Sequence, residues 1–151
     1  MRKSTCAPRL ESGMMLIEAL VAILIFSIGI LALVGLQATA VKQSTDARFR
    51  SDAAALTNDI IAEMWVSDRT TATLNANFAG SAGSGGANYN AWATRVGAVL
   101  PGATGANAPT VTVDPDGTAL PGRVFVTIRW QAPNEPAGAN PHQYIASSMV
   151  R

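Results

Sequence analysis

Residues 14–36 read MMLIEALVAILIFSIGILALVGL, and Glu18 is the one charged side chain among them. As a helix rising about 1.5 Å per residue, the uncharged part, 19–36, is roughly 27 Å long, close to the hydrocarbon thickness of a bilayer. A helix that belongs to a soluble core keeps a polar face, and this run has none. It therefore reads as a membrane-spanning segment. Glu18 then needs a reason. An ionisable residue costs about 2.5–3.5 kcal/mol at the centre of a span and less near its edge, and such residues serve a function.

The remaining composition narrows the function. The chain has 151 residues, enough for one ordinary domain. It is 48% hydrophobic and 14% charged, with a mean hydropathy of +0.21, too apolar for a disordered chain. A net charge of +1 gives no basic field for nucleic acid. One cysteine, Cys6, excludes an internal disulfide, and one histidine, His142, leaves no set of zinc ligands. No metal, cofactor or catalytic constellation is expected.

Three readings compete for the apolar run. As a cleavable signal peptide it would use Arg2, Lys3 and Arg9 as a basic start and Ala38-Thr39-Ala40 as the cleavage site. The run exceeds the usual 7–15 residues of such peptides and carries a carboxylate near its start. As a plain single-pass anchor it leaves Glu18 unexplained. The third reading accounts for Gly13, then Met14-Met15-Leu16-Ile17-Glu18, then an apolar helix, all behind a short charged leader.

That arrangement resembles the type IV prepilins. The continuation LIEALVAILIFSIGILALVGLQ (16–37), and the stretch from Arg50-Ser51-Asp52 to Met64, look most like the PilV-type minor pilins, also called pilus modification proteins. The resemblance covers Gly13 to about Trp65. It implies cleavage between Gly13 and Met14 by the prepilin peptidase, and methylation of the new amine of Met14. It places Glu18 at the fifth mature position, where the carboxylate attracts the N-terminal amine of a neighbouring subunit. The implied partners are the peptidase, other minor pilins, the major pilin and a tip adhesin. The implied location is the inner membrane, single-pass with the head in the periplasm, and then the pilus.

Two departures stand out. Met14-Met15 replaces the frequent Phe followed by Thr or Ser, and the leader ends Glu11-Ser12-Gly13 where a basic residue commonly precedes the glycine. Ser12-Gly13 also fits an N-cap pair opening the helix. Orientation rests on the resemblance, because Lys and Arg tie across the run: Arg2, Lys3 and Arg9 against Lys42, Arg48 and Arg50. Major pilins often carry a proline at the twenty-second mature position, where this chain has Gly35. A continuous helix through Gly29 and Gly35 is therefore expected, with these glycines as points where fibre packing can unwind it. Cys6 leaves with the leader, so the mature chain has no cysteine for the C-terminal disulfide of many pilins.

Beyond residue 36 the pattern becomes amphipathic. Phe49, Ala53, Leu56, Ile60 and Met64 recur at spacings of three and four, and Lys42/Asp46, Asp46/Arg50 and Arg48/Asp52 are opposite charges four apart. One helix over 14–66 is expected: 14–36 the transmembrane and assembly part after the 1–13 leader, 37–66 its amphipathic continuation. Thr70-Thr71-Ala72-Thr73 reads as the helix end. Residues 79–88, AGSAGSGGAN, read as a flexible Gly/Ser loop without the Lys and Ser/Thr of a phosphate cradle.

Asn90 is a candidate N-cap for a short helix burying Trp92, Val96, Val99 and Leu100, stopped by Pro101-Gly102. Residues 110–113 and 123–130 read as strands, with 144–150 a weaker third and His142 at its entrance. Asp114-Pro115-Asp116-Gly117 reads as the turn between the first two, since two carboxylates without a downstream Glu make no calcium loop.

The fold class is α+β and pilin-like: a long N-terminal helix packed on a small antiparallel sheet, with 67–151 completing the head. The function expected is assembly as a minor pilin, without enzymatic activity. The alternatives are a type II secretion pseudopilin and a signal-anchored periplasmic binding module.

Overall fold

The computed structural model describes residues 11–114, 122–133, 135–136 and 138–150. The first element, α1, is Glu11–Val66 and runs unbroken through Gly29 and Gly35. It already includes Glu11 and Ser12, ahead of the expected start at Met14, so Ser12-Gly13 is no N-cap pair.

The chain divides into two compact units near residue 44. In the first, every residue over 13–44 is exposed. In the second, the C-terminal stretch of α1 buries the predicted stripe. Ala53, Ile60 and Met64 have no exposed surface, Leu56 has 8%, and Phe49 packs partly against them. Thr57 is also buried, which the hydrophobic pattern missed; its hydroxyl is satisfied by donating to Ala53 O at 2.8 Å. Of the three charge pairs expected, Arg48–Asp52 forms at 3.8 Å.

After α1 come α2 (Thr71–Phe78), β1 (Gly80–Ser81), β2 (Ser84–Gly85), α3 (Ala87–Val99), a 3-10 turn (Gly105–Asn107), β3 (Thr110–Val113), β4 (Arg123–Trp130) and β5 (His142–Met149). The strands form one antiparallel sheet in the order β2-β1-β3-β4-β5. Alternation along β4 buries Val124, Val126, Ile128 and Trp130, the face the sequence assigned. With Val111 and Val113 of β3, this face joins the α1 stripe, Leu74 and Phe78 of α2, and Tyr89, Trp92 and Val96 of α3 in one core. Each large side chain so buried contributes about 1.5–3 kcal/mol. The layout is thus a long apolar N-terminal helix with a small antiparallel sheet.

Several local expectations give way. The threonine run does not end α1, which stops at Val66. Thr70 instead caps a further helix: its hydroxyl accepts from Thr73 N, and Asp68 accepts from Thr70 N at 3.0 Å. The tendency of such side chains to bond nearby backbone makes them helix openers as well as helix breakers.

The Gly/Ser stretch 79–88 is not a free loop. It is the β1–β2 hairpin, turned through Ala82 and Gly83 at φ 50° and 77°, both left-handed as a two-residue hairpin turn requires. Its glycines admit a ring: a Cβ at Gly80 or Gly85 would collide with Tyr89. The N-cap of α3 is Gly86, not Asn90, whose amide instead donates to Gly85 O at 2.9 Å. Along α3, Tyr89 takes a core place and Val99 is 48% exposed. The last strand begins at His142, two residues before the expected start. Of the 114–117 turn only Asp114 is described, at φ 46°; Cys6, Arg2, Lys3 and Arg9 lie outside the described residues.

Candidate functional site

The site residues read from the sequence all fall on the first stretch of α1. Gly13 and Met14 are consecutive residues of α1, and Met14 is 72% exposed. Nothing lies within 4 Å of where a Cβ at Gly13 would stand, and the same holds at Gly29 and Gly35. Packing among the described residues therefore does not require these three glycines. Glu18 is exposed on the helix surface among Leu16, Ile17, Leu20 and Val21, each more than half exposed. It is the only titratable side chain over 13–41.

The helix is long and apolar enough to cross a membrane, and none of its most apolar window is buried inside the protein. So much bare hydrocarbon calls for lipid or other helices as its surroundings. Two hydroxyls on this stretch are internally satisfied. Ser27 Oγ donates to Ile23 O at 2.7 Å and Thr39 Oγ1 to Gly35 O at 3.1 Å. Such back-bonds let a hydroxyl sit in an apolar medium. Residue spacing alone did not expose the Thr39–Gly35 contact, although an i,i+4 hydroxyl is the signal for it.

The head is held to the later part of α1 by polar ties as well as apolar packing. Trp92 Nε1 donates to Leu56 O at 2.8 Å, and Arg95 pairs with Glu63 at 2.6 Å. Leu56 is mid-helix, so its carbonyl accepts this bond beside its helical one. Tyr89 donates its hydroxyl to Pro109 O at 2.6 Å and accepts from Gly83 N at 3.3 Å, closing the hairpin turn over α3. Burial pushes its phenol pKa up, against the lowering by Gly83 N–H, so the hydroxyl stays a donor.

Two further features of the head could bear chemistry. A cavity of about 330 Å³ between α3 and residues 103–109 is lined by Asn90, Thr94, Thr104 and small residues, with no titratable group. His142 stacks on Trp130 at 5.7 Å between ring centres, and its Nε2 lies 2.7 Å from Glu135 Oε1. Among the described residues, no three His, Cys, Asp or Glu side chains gather as metal ligands. Compared with protein-family models, with curated proteins and with solved structures, the chain gives no match.

Proposed function

We propose that this chain is a type IV minor pilin of the PilV type, made as a prepilin and working by assembly rather than catalysis. The observation that carries the proposal is Glu18: a lone carboxylate on an otherwise bare apolar helix, at the fifth position counted from Met14. A carboxylate placed there costs free energy in lipid unless it meets a partner. The amine of Met14, exposed by cleavage after Gly13 and then methylated, is that partner when it belongs to the next subunit. In a low-dielectric bundle, leaving either charge unpaired costs about 3–5 kcal/mol. The pair therefore fixes stagger, while the apolar helices supply cohesion. Glu18 and Met14 orient; Gly29 and Gly35 allow local unwinding under fibre packing.

In this account the prepilin peptidase processes the chain in the inner membrane, with the N-terminus cytoplasmic and the head in the periplasm. Other minor pilins, the major pilin and a tip adhesin are its assembly partners. A type II secretion pseudopilin would share the leader, Glu18 and the layout, and companion genes for a pilus or a secretion machine separate the two.

Mass spectrometry of the membrane-bound protein's N-terminus tests the proposal. The expected species starts at a methylated Met14. A start near Val41 would mean ordinary signal cleavage and end the pilin reading. Replacing Gly13 by leucine should leave uncut precursor. Because a Cβ at Gly13 meets nothing among the described residues, that block is attributable to the peptidase and not to misfolding.

A further inference from the structure

β5 forms one edge of the sheet and pairs with β4 over all eight of its residues. Which of its backbone groups face outward follows from two bonds at the end of the ladder. Val150 N donates to Gly122 O at 2.8 Å, so 150/122 is a hydrogen-bonded pair. On the far side of β4, Asp114 N donates to Arg123 O at 2.7 Å, so Arg123 turns its backbone toward β3 and away from β5. Antiparallel pairs alternate. The ladder bonds of β5 to β4 therefore fall on His142, Tyr144, Ala146 and Ser148. Gln143, Ile145 and Ser147 direct their N–H and C=O groups to the open edge.

The side chains of Gln143, Ile145 and Ser147 are exposed as well, with Ile145 at 56%. Proteins guard such edges with proline, lysine, bulges or short strands. This one has eight unbulged residues without proline, Lys, Arg, Asp or Glu. The opposite edge, β2, has two.

Charge says what kind of strand fits. On the same outward face, Arg129 lies opposite Gln143, while β4 and β5 carry no carboxylate. Arg129 makes no ion pair among the described residues. A second copy paired through its own β5 would bring Arg129 no acid, and β2 is too short to receive β5.

We propose that β5 receives an extended strand from a different protein. That strand adds main-chain bonds at Gln143, Ile145 and Ser147, sets an apolar side chain against Ile145, and sets a carboxylate within reach of Arg129. This rests on the assembly reading only in supplying a neighbour. Leader cleavage and Glu18 play no part in it.

The test places the photo-cross-linking residue benzoylphenylalanine at Gln143 in the full chain, expressed with its companion proteins. The cross-linked peptides are then sequenced. The expected adduct is one segment of a foreign protein with Asp or Glu within two residues of the link. Ser147→Pro removes one outward donor and no bond to β4, and it should cut the yield at least tenfold, whereas Ser147→Ala should retain it. Ile145→Asp, at an exposed site, should cut it likewise, and Arg129→Gln several-fold. Adducts only to lipid or to a second copy, no adduct, or a yield indifferent to Ser147→Pro and Ile145→Asp would overturn the proposal. The N-terminal mass of the same samples reports separately on the pilin reading.

Discussion

The two stretches of α1 share one backbone geometry and almost nothing else. Over 13–44 every residue is exposed; over 45–66 the stripe Ala53, Leu56, Ile60, Met64 is buried with Thr57 among it. The first stretch is, over 14–36, apolar all round but for Glu18, and its residues receive no burial from the described chain. The second is apolar on one side and receives all of it. Helix formation therefore reports little about surroundings, and the distribution of apolar residues around the helix reports a great deal. The early stretch is suited to lipid or to other helices, and the later one is a structural part of the head.

The sharpest way to break this comparison is to attack the burial that the later stretch alone enjoys. Trp92→Ala removes a fully buried ring and leaves Leu56 O without its 2.8 Å donor. It should destabilise the head by about 3–5 kcal/mol, read as a lower unfolding midpoint in detergent. Helicity of the 13–44 stretch should persist after the head has melted. Simultaneous loss of both would mean that the two stretches share one cooperative unit.

The next largest effect is expected on the exposed stretch, and in assembly rather than folding. Glu18→Ala should leave leader cleavage and membrane insertion intact, since removing an exposed carboxylate lowers the insertion cost. Incorporation into fibres should fall sharply as the neighbour's amine loses its partner. Cross-linking to companion pilins, compared with the parent chain, measures this. Undiminished incorporation would remove the role assigned to Glu18.

What was legible in the sequence follows the same division. The apolar run, the α1 stripe and the β4 alternation each repeat their period for several turns or residue pairs, and each appears where it was read. The candidate residues Gly13, Met14, Glu18, Gly29 and Gly35 were legible as positions on one exposed helix. Their roles depend on other molecules, which no intramolecular contact can display.

The β1–β2 hairpin and α2 were missed because they are short and made of residues that local rules assign to loops. Two-residue strands have no period to detect. The fit of Gly80 and Gly85 against Tyr89 joins residues whose proximity only the folded chain creates. Asp68 and Thr70, by contrast, did carry a signal: Asp and Thr are favoured residues where a helix opens, and the β-branched run obscured it.

A smaller effect sharpens the comparison inside the exposed stretch. Gly29→Ala with Gly35→Ala adds two Cβ atoms that meet nothing among the described residues. Alanine is better than glycine in a helix interior by about 0.8–1.0 kcal/mol per site. Amide hydrogen exchange between residues 27 and 39 should slow in the full chain in detergent, with the head unaffected. Incorporation into fibres should drop where local unwinding is needed. Full piliation by the double variant would show that the glycines serve only close helix packing.

The smallest effect is expected where α1 gives way to α2. Asp68 is exposed, and the backbone N–H of Thr70, then the hydroxyl of Thr73, hold its carboxyl below its ordinary value of 3.8; partial desolvation opposes them and the Thr70 hydroxyl adds the least. A carboxyl whose folded pKa is depressed contributes its stability in full above the unfolded value and loses it as pH falls through the folded one. The contribution should therefore be constant from neutral pH down to about pH 4 and should fade only below that. Asp68→Asn keeps an oxygen that can accept from Thr70 N but has no charge to titrate. Unfolding midpoints of the two chains should differ by a constant amount between pH 7 and 5 and converge in the acid range. A difference that stays the same down to pH 2 would mean that the carboxylate's charge contributes nothing to the cap, leaving Thr70 and backbone geometry to open α2.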